Sequence, residues 1–350
     1  TLATGIKALN LAESIQPTTQ LARSYVTMAI VIGTLSLHDL AEHYCKMGED
    51  VAKTVNDAHA KIYVAMGSGV YRVGAGKWDA VEATVPPAIQ LANETKEFRL
   101  RGQCLLLLAN MEFWRGQFAA AHQTYTTIYE SGIYTNDIQQ QGWSLSGLGQ
   151  VALIYGKLDD ALDYFHQALE LYQTLTDFAM ETRVSGLLSR VYMLTNNHDM
   201  ALEFANKTTA LIAKQFTPAA SEMMDGYSAI PEVAFALYEA ALSDSSEAQD
   251  RLKLAKKACG NMNKYARVFP VGRSAAKRWN GLLAWHSNQP EKAQKLWAES
   301  IEAADKLDMR YEKAQTLTVM ANYLESASHH EQAQSLLSEL GVVTDYEPVD

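Results

Sequence analysis

Along this chain, apolar residues at helical spacing are interrupted by short polar turns, and the interruption recurs at a fixed stride. GQFAAAHQTY from Gly116, GKLDDALDYF from Gly156 and NNHDMALEFA from Asn196 each open on a turn former. Each places a bulky residue two positions later (Phe118, Leu158, His198) and an alanine five positions later (Ala121, Ala161, Ala201). The starts lie 40 residues apart. Stepping back by the same interval reaches Gly76 of GKWDAV, with Val81 in the alanine slot, and then Ser36 of SLHDLA, with Ala41 in register. Ala293 and Ala333 repeat the interval near the C-terminus. A repeat of this length, with apolar helical periodicity on both sides of each turn, predicts an all-α protein. The expected architecture is a right-handed superhelical α-solenoid of about eight helical hairpins.

The stride divides the chain. Residues 1–16 are expected to be the second helix of a unit whose first helix lies upstream, because residue 1 falls 40 before Ala41. Residues 17–213 hold five regular hairpins. Residues 214–232, with two prolines and a glycine, read as an irregular connection. Residues 233–340 hold about three less regular hairpins, with SSEAQDRLKLAKKA around Ala248 as one second helix. Residues 341–350 form an acidic tail expected to fray.

In WSLSGLGQVALIYGKLDDALDYFHQALELYQTL, residues Leu148, Gly149, Ala152, Gly156, Ala161, Phe165 and Ala168 fall in the slots of a tetratricopeptide repeat (TPR), which this unit resembles. That resemblance implies small residues where two helices approach and an aromatic filling the gap. The period exceeds the usual TPR length of about 34, so either the turns between units or the helices themselves are longer.

A second resemblance covers about residues 5–170. GIKALNLAESIQPTTQLARSYVTMAIVIGTLSLHDLAEHYCKMG, with GVYRVGAGKWDAVEATVPPAIQLA after it, is similar to the C-terminal repeat region of large signalling proteins. Those proteins begin with a class III adenylate/guanylate cyclase or a Ser/Thr kinase domain and continue through an AAA-type (STAND-like) ATPase. The resemblance implies a regulatory, partner-binding arm whose occupancy sets the state of an upstream effector.

Composition narrows the function. A net charge of −10 opposes a nucleic-acid role, which requires a basic face. The longest apolar stretch, Tyr25 to Leu37, is too short to span a bilayer and contains Thr, Gly and Ser. Cys45, Cys104 and Cys259 are scattered without metal-ligand spacing, which fits core thiols in a reducing compartment and a cytoplasmic location.

Motifs of chemistry fail on inspection. The glycine-rich stretch GSGVYRVGAGKWDAV ends in Gly76-Lys77, but Tyr71 stands where a phosphate-binding loop needs glycine, and Trp78 where it needs Ser or Thr. Gly76 reads instead as an interhelical turn. His38 and His43 are five apart, not the four that put two ligands on one helix face. No cofactor, metal site or catalytic set is expected.

Two ladders point to binding. Counting by 40, one slot on the first helices holds Gln103, Trp143 and Arg183, and another, seven residues on, holds Asn110, Gln150 and Arg190. Seven residues is about two helical turns, so both ladders share a face. Arg278 is expected to continue it. Amides and guanidiniums recurring on otherwise apolar helices suit a concave groove for a peptide or protein, with the parent chain's own ATPase or effector domains as a further candidate. Within the TPR resemblance, Asn110 and Arg183 fit two positions of the carboxylate clamp. Leu106 and Gly147 occupy two others, so recognition of a Glu-Glu-Val-Asp tail is not implied. The alternatives are a stand-alone adaptor or a small-ligand-sensing solenoid resembling the maltose-regulator type. A toroidal enzyme would need inward acidic or histidine pairs, which the ladders lack.

Overall fold

The computed structural model describes residues 18–242 and 245–343, and among these it contains sixteen α-helices, two short 3-10 turns and no strand. The helices pair in order into eight hairpins. The first five are α1 (Thr19–Thr34) with α2 (His38–Val55), α3 (Ala58–Ala75) with α4 (Trp78–Glu94), α5 (Phe98–Trp114) with α6 (Phe118–Tyr134), α7 (Ile138–Ile154) with α8 (Leu158–Leu175), and α9 (Phe178–Leu194) with α10 (His198–Ala213). The last three are α11 (Met224–Ala240) with α12 (Ser246–Val268), α13 (Arg273–His286) with α14 (Pro290–Lys306), and α15 (Arg310–Leu324) with α16 (Ala327–Glu339).

The 40-residue stride has a local cause. Ser36, Asn56, Gly76, Lys96, Gly116, Asn136, Gly156, Thr176 and Asn196 all have positive φ, and they stand 20 residues apart. Each ends one helix. At Gly76 (φ 71°) the N–H of Gly76 donates to Val73 O and that of Lys77 to Arg72 O, so a left-handed residue satisfies the last carbonyls of the helix. Asp57, Asp137 and Asp177 then start the next helices by accepting backbone N–H groups in the first turn. The unit is longer than a usual TPR because its helices extend to 16–18 residues, as in α1 and α2, while the turns remain two or three residues long.

The aligned slots form the seam of the core. Ala41, Val81, Ala121, Ala161, Ala201, Ala293 and Ala333 are all buried. A β-carbon on Gly149 would lie 2.6 Å from the ring of Phe165, so only glycine lets α7 receive that aromatic from α8. Burial of Phe165 is worth about 1.5–3 kcal/mol. The three cysteines are free and buried, and burial pushes the Cys45 thiol up to about 11 and those of Cys104 and Cys259 to about 12. No described helix is long and apolar enough to cross a membrane.

Two stretches differ from expectation. The irregular connection is short: coil runs from 215 to 220, a 3-10 turn covers Ser221–Met223, and α11 is already helical from Met224. Its helix runs through Pro231 despite the missing N–H, because Met224 and the whole run from Gly226 to Pro231 are buried in the stack. At the C-terminus, the first residues of the expected frayed tail are tied down. Val342 N–H donates to Leu337 O, and Val343 N–H donates to Ile154 O at 3.0 Å, attaching this short segment to α7. Residues 1–16, expected as an isolated second helix, and 344–350 lie outside the described residues.

The superhelix closes on itself. Ser36 Oγ donates to Arg267 O at 2.7 Å, across 231 residues. The Trp78 indole N–H donates to Leu307 O, across 229. Arg115 joins Glu82 of α4 to Asp308 at the turn before α15, and the rings of Phe118 and Tyr311 meet edge to face at 5.6 Å. Hairpin turns of the first three units therefore rest on the stretches that follow units six and seven, 231 and 229 residues on for the first two turns and 193 for the third.

Candidate functional site

The stride places the ladder residues on the first helix of each hairpin, seven and fourteen positions after its left-handed turn residue. Gln103 and Asn110 follow Lys96 in this way, Trp143 and Gln150 follow Asn136, and Arg183 and Arg190 follow Thr176. Neighbouring first helices bring these slots side by side. Arg183 Nη2 donates to Gln150 Oε1, and Arg190 Nε donates to Glu232 Oε1 of α11 at 3.0 Å.

The ladders run further than the amides and arginines alone suggested. Asp225 and Glu232 lie 42 residues beyond Arg183 and Arg190, so α11 continues both ladders as carboxylates after a two-residue slip. Gln315 and Asn322 follow the left-handed Asp308 by seven and fourteen, which makes them the same two slots on α15. The signal for them was present in the sequence. They precede Ala333 by 18 and 11, as Trp143 and Gln150 precede Ala161.

Closure of the superhelix turns the middle of the ladders into interior. Asn110 is 1% exposed, Gln150 2%, Arg183 1% and Arg278 1%. Asn110, Gln150 and Arg183 face the chain's own segment around Ser221–Glu232 and not an open groove, while Arg278 also borders the cleft described below. Asn110 accepts from Tyr125 Oη at 2.8 Å and its amide reaches Glu222 at 3.4 Å. Burial works against the charge on Arg183, but the surrounding Tyr125, Asp225, Tyr172 and Glu222 outweigh it and hold the guanidinium protonated. Arg278 donates to Glu312 Oε2 at 2.7 Å, reaches Ser228 Oγ at 3.4 Å and lies over the ring of Trp279. A buried charge needs such partners, because an isolated one costs several kcal/mol (about that much after relaxation).

The ends of the ladders remain accessible, in two separate places. A cleft of about 610 Å³ opens between α9, α11, α13, α15 and α16, and its wall includes Arg190, Arg278, Tyr311, Gln315 and Asn322. Arg190 spans it, bonded to Glu232 on one side and to the Tyr311 hydroxyl at 3.4 Å on the other. Gln315 Oε1 is buried and has no hydrogen-bond partner among the described residues. Such a wall offers donors and acceptors to a peptide backbone together with apolar contact from Leu194, Val319 and Leu337. The other place is a pocket of about 240 Å³ lined by Gln103 and Trp143, between α3, α5, α7 and the start of α9. Of the expected site residues, the structure thus brings Arg190 and Arg278 together at the cleft and Gln103 with Trp143 at the pocket. It buries Asn110, Gln150 and Arg183 between them. Among the described residues no group of three or more His, Cys, Asp or Glu could hold a metal ion.

No protein-family model matches this sequence, and no curated protein matches it. Its fold is similar to solved structures. One is a Rap protein complexed with Competence and Sporulation Factor (TM-score 0.58, 15% identity, covering 92% of this chain and 88% of that one). Another is the Rap conjugation gene regulator of the plasmid pLS20 in complex with the Phr* peptide (TM-score 0.57, 12% identity, 97% and 96%). A third is the apo form of RapI (TM-score 0.56, 14% identity, 81% and 98%). At these identities the likeness is one of fold: the chain is a TPR-like α-solenoid.

Proposed function

We propose that this chain is a non-catalytic regulatory module that binds a peptide, or an extended segment of a protein, in the cleft between α9 and α16. The observation that carries the reading is the convergence of ladder positions from three different hairpins, Arg190, Glu232 and the pair Gln315 and Asn322, with Arg278 on that one inner surface. Side-chain amides at a two-turn spacing can pair with the N–H and C=O groups of an extended backbone, and guanidiniums can take its carboxylates. Two of the similar Rap structures hold a partner of this kind, Competence and Sporulation Factor in one and the Phr* peptide in the other. We infer further that occupancy is passed to an upstream effector in the cytoplasm, the role that the resemblance of residues 5–170 to the arms of cyclase– or kinase–ATPase signalling proteins would imply.

The test is selection of a displayed random-peptide library against the whole chain. Enriched peptides should lose at least tenfold in affinity on Gln315→Ala with Asn322→Ala, two replacements on the accessible wall that leave the buried ladder intact. A library yielding no enriched peptide, or peptides indifferent to both replacements, would reject the cleft as the binding surface.

A further inference from the structure

The pocket at the other end of the ladders has a chemistry of its own. Its walls are apolar and soft, with Met66, Leu106 and Met180 among them, and Trp143 adds an aromatic surface. Its charged groups among the described residues are all of one sign: Asp177 and Glu222 line it, and no described lysine or arginine does. Glu222 is 9% exposed, yet among the described residues its carboxylate makes only two long hydrogen bonds, 3.4 Å from Asn110 Nδ2 and 3.3 Å from Ser221 Oγ. Neither carboxylate has an ion-pair partner within 4.0 Å among the described residues. The charge of Arg183 acts on Glu222, but its guanidinium makes its hydrogen bond to Gln150 and none to either carboxylate among the described residues. Asp177 caps α9 through Oδ1, which accepts from Met180 N–H at 3.1 Å, and its other oxygen makes no protein hydrogen bond among the described residues.

We propose that this pocket binds an organic cation, a guanidinium or primary ammonium on a short apolar stem. A buried carboxylate without a cation is costly, and a charged group brought to it gains a charge-assisted bond in a low-dielectric site. The stem is matched by the methionine and leucine walls, and the cation's charge by the π-face that a tryptophan can offer. A bare metal ion fits poorly: the pocket is far larger than an ion, and two carboxylates on separate elements do not make a ligand set. The cation can belong to a free small molecule or to an arginine or lysine side chain, and the charge chemistry is the same. This inference is independent of the peptide cleft, since it rests on α3, α5, α7, the start of α9 and the residues around 220, and no residue lines both sites.

Calorimetric titration of the whole chain with n-butylguanidinium and with its neutral isostere n-butylurea separates charge from shape. The cation should bind at least tenfold more tightly than the urea. Asp177→Asn and Glu222→Gln should each weaken it by tenfold or more. Asparagine caps a helix as well as aspartate does, so the Asp177 variant keeps the start of α9 and decides the matter alone if the Glu222 variant melts early. Binding by an arginine-bearing peptide but not by free n-butylguanidinium supports the site and assigns the cation to a side chain. Absence of binding by either, or equal affinity in folded Asp177→Asn and the parent, overturns the proposal.

Discussion

Gly186 of α9 and Gly226 of α11 touch backbone to backbone. A β-carbon on Gly186 would stand 2.4 Å from the carbonyl oxygen of Gly226, and one on Gly226 would stand 2.6 Å from the Cα of Arg183. This contact draws α11 against the ladder of α9, sets Asp225 and Glu232 beside Arg183 and Arg190, and closes the middle of the inner surface. Because the obstacle is main chain, no rotamer change can relieve it. Gly186→Ala should therefore cost about 3 kcal/mol, read as a lowered urea midpoint. A midpoint within error of the parent's would mean that the two helices are not in direct contact.

Arg278 and Glu312 form a pair that is almost wholly buried. Removing one member leaves the other charged in the interior. Arg278→Met alone should cost about 3–5 kcal/mol, whereas Arg278→Met combined with Glu312→Leu should recover most of the loss. Chemical denaturation of the two variants checks this. Equal destabilisation by the single and the double change would show that the pair is worth more than its apolar replacement.

Thr176 sits at φ 53°, a left-handed conformation that a β-branched residue adopts only at a cost. Thr176→Gly should raise stability by about 1 kcal/mol. Gly76→Ala should do the reverse for two reasons, the positive φ and a β-carbon only 2.7 Å from the side chain of Leu307 across the closure. Thermal melts of both variants give opposite signs if the turns are as described.

His38 lies where α2 begins, stacked near Tyr71. Burial, then the charges of Arg273 and Lys77, hold its imidazole below the ordinary value, against a smaller opposing pull from Asp39. The unfolded chain therefore binds a proton more readily than the folded one. The contribution of a neutral His38 is complete above its unfolded value, near 6.5, and is lost as pH falls through the lower folded value. The advantage of the parent over His38→Gln in urea should accordingly be larger at pH 7.5 than at pH 5. The opposite ordering would place the histidine beside a carboxylate instead.

Residue-level legibility followed the range of the interactions. The turn at Gly76, the buried slot from Ala41 to Ala333 and the pairing of Gly149 with Phe165 were readable because each depends on residues of one hairpin. The ladder slots were readable as positions, and the same counting reaches Gln315 and Asn322. Their surroundings were not. Asn110, Gln150 and Arg183 read as groove residues from their polarity, yet they are interior, and residues 224–232 read as a break because Gly and Pro usually mark one, yet they are helix.

By itself, the sequence determined the helix–turn rhythm of this protein, since a left-handed residue every 20 positions and a small residue every 40 act within a few residues of chain. Tertiary structure alone decided which part of the inner surface faces solvent. That depends on contacts such as Ser36 with Arg267 and Trp78 with Leu307, and on the backbone contact of Gly186 with Gly226. Small angular differences between successive hairpins add up over six units before the ends meet, and no local pattern encodes that sum.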